Sequence, residues 1–430
     1  MQISGLDMYQ WAGDLFPICR SLTGPGVRQT LTYLQKLLPG LTIHEVASGT
    51  NVFDWTIPEE WAIEDAFVAD DQGRRIIDFR ISNLHVVGYS EPVNAELSYD
   101  ELAPHLYSLP DHPDAIPYVT SYYKKRWGFC ISENQRKILQ SYGTHKFHVC
   151  IQSKLASGHL TYGELIIPGS STEEVLLSTY ICHPSMANNE ISGPVVVAAL
   201  ARWLSSLDRR LTYRIVFVPE TIGAITYLHK NIKIMRTRTI AGFVVTCVGD
   251  DRGYSYIPSP DGDTLADTIA LHVLRHKAPG FKAYSFLDRG SDERQYCAPG
   301  VDLPVCSICR TKYAEYPEYH TSLDNMDLIS PQGLQGAFDI YRACIELLEM
   351  NLTYKATTLG EPQLGKRGLY PTLSDKNNMA CPMILNVFAY MNGQRDIIAI
   401  ADRLGVYAGD LAESVRALHQ SGLIKLVTKK

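Results

Sequence analysis

Residues 175–200 read VLLSTYICHPSMANNEISGPVVVAAL, and the fold follows from how this stretch divides. Val175 to Thr179 is an apolar run of the length expected for a buried strand. A polar loop carrying His183, Asn188, Asn189 and Glu190 comes next. Ile191, Ser192 and Gly193 then lead into an apolar stretch from Pro194 to Leu204, long enough for a helix, with proline where a first helical turn tolerates it. Strand, polar loop and helix is how an open α/β sheet presents functional side chains at the carboxyl ends of its strands. A His and a Glu in that loop are together suited to a divalent metal, although a lone loop histidine is commonly no more than a surface hydrogen-bonding residue.

Other segments give this histidine company. VFVPETIG at 216–223 is a second buried strand that ends on Glu220. GSDERQY at 290–296 places Asp292 and Glu293 after a turn, and YPEYHTSLDNMDLI at 316–329 carries His320, Thr321 and Asp324. In order and spacing, CHPSMANNEISG, PETIG, GSDERQY and YHTSLD resemble the zinc aminopeptidases with a two-metal centre. Those enzymes carry a His after a strand, an Asp in an Asn-Asp-Asp/Asn-x-Ser-Gly loop, a Glu-Glu pair, an Asp, a Ser-Asp step and a His-Thr. The resemblance is closer still to bacterial aminopeptidase-like proteins with an inserted small domain and a C-terminal winged helix, often associated with surface-polysaccharide gene clusters. It covers nearly the whole chain. It implies an α/β fold of zinc-peptidase type: a mixed sheet flanked by helices, a small β-rich insertion and a winged helix.

The departures from that pattern shape the expected chemistry. Asn189 stands where the family has its metal-bridging Asp, and a neutral amide is a poor bridge between two dications. Thr221 replaces the second Glu of the pair, and around Cys247 (FVVTCVGD) an expected Asp is missing, with Asp250 nearby. What remains is His183, His320, Glu220 at the general-base position, and Glu190 one residue beyond the usual bridge. Two His and one Glu form the ligand set of a single catalytic zinc, with the fourth position left for water. The resemblance therefore implies one zinc on His183, Glu190 and His320, with Asn189 as a substitute oxygen ligand. Whether Asn189 or Glu190 faces the metal stays open. Glu220 is the expected base, against an alternative role as an N-cap or ion-pair partner of the next helix. Asp324 is an orienting or capping carboxylate. Asp292, Glu293, Arg294 and Arg289 are expected to face substrate, with Tyr313 and Tyr319 at the same mouth; either arginine has the fork to grip a carboxylate.

Composition bounds the rest. At 430 residues the chain exceeds one ordinary core, and a hydrophobic content of 45% with 20% charged residues fits a soluble globular protein. The formal net charge of −6 leaves no whole-chain footprint for nucleic acid. No window approaches a membrane span, and MQISGLDMYQWAGDLF lacks the basic region and apolar core of a secretory signal. Ten cysteines are scattered, many inside apolar runs, which fits reduced thiols in a cytoplasmic protein. Cys306 and Cys309 have CxxC spacing, but their apolar setting reads as a strand interior.

Along the chain, helical patterns at 6–37 are broken by CRSLTGPG, where Arg20 and Ser21 are given a structural role. Short alternating stretches begin near Val52, with DDQG at 70–73 as a hairpin connection, and mark an inserted β-rich domain over 51–135. Its Tyr107, Tyr118, Tyr122, Tyr123 and Trp127 either line a substrate cleft or pack a seam between domains. FHVCIQSKLASGHLTYGELIIPG at 147–169 reads as a hairpin-like pair of strands. The aminopeptidase-like domain takes 1–50 and 136–354, with strands and helices alternating. A linker follows at 355–380, and 381–430 forms a winged helix-turn-helix. That last segment holds six Lys and Arg against four Asp and Glu, far from a phosphate-binding face, so a protein contact or self-association fits it as well as DNA does.

The resemblance thus implies a zinc-dependent amide hydrolase acting on a peptide, or on an aminoacyl or amino-sugar substrate of surface-polysaccharide metabolism. The competing reading is a catalytically idle peptidase fold reused for binding or regulation. A DNA-binding regulator rests on the C-terminal segment alone.

Overall fold

The computed structural model describes residues 3–369 and 380–427. The decisive apolar run becomes the strand Glu174–Tyr180, buried along its whole length. A strand covered on both faces has no polar side to alternate with, so Val175–Leu177 is unbroken apolar sequence, and the buried Glu174 and Ser178 find partners in Arg214 and Tyr296. Its parallel neighbours are Thr212–Val218, equally buried, and Thr239–Val244, which pairs in parallel with Val305–Cys309. Thr42–Ala47 and His159–Ile167 extend the sheet antiparallel on one side. Ser255–Ile257 and Lys282–Ala283 extend it on the other, completing eight strands. Cys306 and Cys309 are buried inside their strand, as the apolar setting implies.

Helices flank this mixed sheet. Ser192–Ser205 is apolar almost all round and nearly every residue of it is buried, as expected of a helix enclosed by its neighbours. Its start comes very close to the sheet: a Cβ on Gly193 would lie 2.3 Å from the Val245 carbonyl oxygen and 2.5 Å from Thr179 Oγ1. Only glycine permits that approach.

A second, four-stranded antiparallel sheet runs Arg75–Asp78, Glu60–Ala69, Lys146–Ala156, Val93–Ser98. The hairpin expected at 147–169 is not formed. Lys146–Ala156 lies between two strands of this small sheet, whereas His159–Ile167 lies between two strands of the large one. Each strand satisfies both of its edges elsewhere, which outweighs the pairing that their nearness in sequence offers. The small sheet thus draws one strand from beyond residue 135.

The chain divides into two compact units, Met1–Asp267 with Gly280–Phe338, and Thr268–Pro279 with Asp339–Lys430. Both sheets described so far belong to the first. The second contains a three-stranded sheet in the order Asn392–Asp396, Thr353–Ala356, Ile424–Leu426, with helices Ile397–Leu404 and Ala412–Gln420. Asp396 caps the first of these helices, and Gly405, at φ 68°, ends it. The strand at 353–356 overlaps the start of the expected linker, of which residues 370–379 lie outside the described residues. No described helix is long and apolar enough to cross a membrane.

Candidate active site

The site lies past the carboxyl ends of the parallel strands. His183 follows Glu174–Tyr180, Glu220 follows Thr212–Val218, and Cys247 follows Thr239–Val244. The loop after His183 tightens into a π-helical turn, Ala187–Ile191, before the Ser192–Ser205 helix. Such turns recur at functional positions. Asp324 holds this one in place, accepting from the Asn188 and Asn189 backbone N–H groups at 2.6 and 3.0 Å and from the Tyr316 hydroxyl at 3.0 Å. Burial raises the Asp324 pKa to about 6, against these hydrogen bonds. Asp250 accepts from Asn188 Nδ2 and from the Thr311 backbone and hydroxyl, and so braces loops.

The structure brings the two expected histidines together. The rings of His183 and His320 lie 5.5 Å apart, and His320 Nε2 is buried without a partner among the described residues. His183 is anchored from behind: its Nδ1 lies 2.9 Å from Glu190 Oε2, while its Nε2 lies 3.7 Å from Glu220 Oε2. Burial pulls the His183 pKa down, but the Glu190 hydrogen bond and charge reverse this to a net rise. Burial, aided by the nearby His183 charge, pushes the His320 pKa down to about 3 and keeps that ring neutral. Glu220 is raised by burial, against the pull of His183 and Arg294. Asn189 donates through Nδ2 to the Tyr180 hydroxyl at 2.7 Å, and its Oδ1 is buried and unpartnered.

The 290–296 segment supplies a second wall. Asp292 Oδ1 accepts from the Thr221 N–H at 2.7 Å, and its Oδ2 is buried and unpartnered. Burial and the Glu220 charge push the Asp292 pKa well above the usual range. Arg294 reaches Thr221 Oγ1 at 3.0 Å, beside Glu220. Thr221 is held by these contacts at φ 63°; Cys247 and His320 also take positive φ, at 52° and 55°. Residues without glycine's freedom adopt this region at a cost of about 1–3 kcal/mol, and such strain gathers at functional sites. Glu293 turns inward, its Oε1 accepting from Gly290 and Ser291 N–H groups and the Tyr313 hydroxyl. Tyr313 is thus a buried brace, and Tyr319 stacks on the His320 ring at 3.9 Å. Arg289 packs on Phe286 and, with Arg294, lines a cavity of about 410 Å³ next to the 290–296 segment.

Two residues from outside the motif segments enter the site: Arg20, given a structural role from the sequence, and Tyr118, one of the aromatics offered as cleft lining or seam. Arg20 is buried, lies 3.1 Å from Glu190 Oε1 through Nε, and donates from the same nitrogen to the His183 carbonyl at 2.9 Å. Its one sequence signal is an arginine placed in a helix-breaking loop. Tyr118, from the inserted segment, packs its ring 5.2 Å from His183 and 5.1 Å from His320. Cys182, His183 and Glu190 also bring ligand atoms within 4.8 Å of one another on the Nδ1 side. Arg20 already pairs with Glu190 there, and burial pushes the Cys182 thiol well above its usual range, so the charges on this side are already matched within the protein.

Residues 9–351 match a family described as a domain of unknown function, DUF4910, and residues 352–426 match a winged helix-turn-helix family. The chain is 41% identical over 430 residues to a Clostridium acetobutylicum protein named for polysaccharide biosynthesis and an aminopeptidase-like domain, covering 99% of this chain and 97% of that one. It is similar to a crystal structure from the same organism described as a peptidase, with TM-score 0.92 and 40% identity, covering 98% of this chain and 96% of that one. A zinc aminopeptidase of Bacillus subtilis shares its fold over 80% of this chain and 95% of its own, with TM-score 0.55 and 14% identity. The chain belongs to the DUF4910 family, with an aminopeptidase-like α/β fold followed by a winged helix-turn-helix domain.

Proposed function

We propose that the protein is a metal-dependent amide hydrolase of aminopeptidase type that uses one zinc. The observation that carries this reading is the pairing of His183 and His320, 5.5 Å between rings, with a buried and unpartnered Nε2 on His320. Two imidazoles on one tetrahedral ion stand roughly 5 Å apart, centre to centre, given Zn–N bonds of about 2.0–2.1 Å. That ring spacing matches zinc on His183 Nε2 and His320 Nε2, and the buried Asn189 Oδ1 is the oxygen ligand this reading adds. Glu190 has a different part from the one its sequence position implies. It sits on Nδ1 of His183 and against Arg20, so it fixes the ring's tautomer and orientation instead of binding the metal. When bound, zinc polarises the amide carbonyl and makes a water more acidic.

Glu220 takes a proton from the attacking water and passes it to the leaving amine, for which its upward-shifted pKa is suited. Asp292, with one buried oxygen lacking a partner among the described residues, offers a seat for a substrate ammonium, whose charge offsets the burial and Glu220 repulsion that raise its pKa. Arg294 stands beside Glu220 as a fork for a substrate carboxylate, with Arg289 farther along the adjoining cavity. The name of the Clostridium acetobutylicum relative supports a role in polysaccharide biosynthesis; an aminoacyl or amino-sugar amide is the substrate class that joins that role to amide hydrolysis. The winged helix serves protein contact in this reading.

Glu220→Gln tests the reading on a panel of aminoacyl p-nitroanilides. The variant keeps its zinc and loses turnover by roughly 10²–10⁴-fold, the range of a general base. A variant as active as the parent would remove Glu220 from the chemistry. A parent that binds zinc and cleaves no amide favours the binding or regulatory alternative, which the replaced bridging and ligand carboxylates at Asn189 and Thr221 support.

A further inference from the structure

We propose that Tyr118, brought to the site by the inserted segment, donates a hydrogen bond to the carbonyl oxygen of the scissile amide, and that Tyr122 positions its hydroxyl. The inference rests on the hydrolase reading and adds a residue to it that lies outside the peptidase-like motifs.

The inserted segment is tied to the His320 loop by its backbone. Pro117 and Thr321 form a β-bridge, and the Tyr118 N–H donates to the His320 carbonyl at 2.8 Å. Ile116 and Ser322 add two more bonds, Ile116 N–H to Ser322 Oγ at 3.0 Å and Ser322 N–H to the Ile116 carbonyl at 2.8 Å. These contacts hold His320 at its positive φ and place the Tyr118 ring against both histidines. The Tyr118 hydroxyl lies 2.5 Å from that of Tyr122. Tyr122 is itself packed edge-on against Tyr89, whose hydroxyl bonds Thr23 Oγ1 at 2.6 Å.

Two hydroxyls at that distance share one proton between their oxygens, and the other proton is left for a third group. Among the described residues neither hydroxyl has another hydrogen-bond partner. With Tyr122 as the donor of the pair, the Tyr118 proton is free to point at an incoming oxygen. In amide hydrolysis the water oxygen attacks the carbonyl carbon and the C=O π pair moves onto the carbonyl oxygen. A water proton goes to Glu220. When the C–N bond breaks, the oxygen's pair re-forms C=O and the proton on Glu220 leaves with the amine. Negative charge thus grows on the carbonyl oxygen in the transition state, where a preorganised donor in a dry pocket is most effective.

Tyr118→Phe and Tyr122→Phe keep both rings and every backbone bond, so a purely structural role predicts no change. The proteins are assayed as zinc-loaded full chains on the aminoacyl p-nitroanilide panel, with zinc content measured for each. Affinity for leucine boronic acid, a tetrahedral analogue, is read by calorimetry. Tyr118→Phe keeps its zinc and its KM, loses roughly 10²–10³-fold in kcat, and binds the boronate about 10-fold or more weakly. Tyr122→Phe falls by less, because Tyr118 retains its proton. Unchanged kcat and boronate affinity in zinc-loaded Tyr118→Phe overturns this role and leaves the zinc hydrolase standing. Loss of zinc from Tyr118→Phe also overturns it, assigning the hydroxyl to metal retention. A zinc-loaded parent that neither cleaves the panel nor binds the boronate overturns both.

Discussion

Arg20→Met is the most demanding stability test of the site's architecture. The guanidinium and the Glu190 carboxylate are each 1% exposed, and Nε of Arg20 lies 3.1 Å from Glu190 Oε1. Arg20 also donates to the His183 carbonyl and, through Nη1, to the Leu15 carbonyl, both at 2.9 Å. Methionine fills the aliphatic part of the space and leaves Glu190 buried, with His183 as its one remaining partner among the described residues. Removing one member of a buried pair costs about 3–5 kcal/mol, most of it the desolvation of the charge left behind. The five tryptophans, at positions 11, 55, 61, 127 and 203, all belong to the first compact unit, so urea unfolding followed by tryptophan fluorescence reports on the unit that contains the pair. The double variant Arg20→Met, Glu190→Leu removes both charges, and its loss falls short of the sum of the single losses by about 2 kcal/mol or more. A loss below about 1 kcal/mol for Arg20→Met, or strict additivity in the double, refutes the argument that this ion pair supports His183.

Gly193→Ala drives a Cβ against the Val245 carbonyl, and the thermal midpoint falls by the equivalent of about 1–3 kcal/mol, the usual penalty of overpacking. An unchanged midpoint would show that the helix can back away from the sheet. Tyr313→Phe removes the hydroxyl that donates to Glu293 and accepts from the Gly290 N–H, and loses about 1.5–3 kcal/mol in urea unfolding. Asp65 is gripped by Arg75 through two bonds of 2.7 and 3.1 Å and by Arg80 at 2.8 Å, and the Arg75 hydrogen bonds hold its carboxyl below the usual range. A carboxylate with a lowered folded pKa contributes fully above its unfolded value of about 3.9, and that contribution is lost as pH falls through the folded value. Asp65→Asn is therefore less stable than the parent near neutral pH by about 2 kcal/mol, and the gap narrows below about pH 4. A gap that widens in acid contradicts the sign.

The legible parts of this protein are those in which chemistry and local periodicity coincide. The buried strands announce themselves because a parallel strand covered on both faces has no room for alternation, as in Glu174–Tyr180. His183, Glu220 and His320 are readable because each stands where a strand or turn delivers a polar side chain. Glu190 shows the limit. Its position one residue past the bridge says that it is near His183, but only the turn at Ala187–Ile191 decides that it meets Nδ1 and Arg20. Arg20 and Tyr118 are far from the motifs in sequence, and their partners are chosen by tertiary packing. The partition of Lys146–Ala156 and His159–Ile167 between two sheets is unreadable for the same reason, since only Ser157 and Gly158 separate the two strands, as in a hairpin.

The zinc content of the protein, purified without added metal or chelator and compared with His183→Ala and His320→Ala, tests the central claim most directly. The account predicts about one zinc per chain in the parent and its loss from both variants. Two per chain, or none even when zinc is supplied, would contradict it.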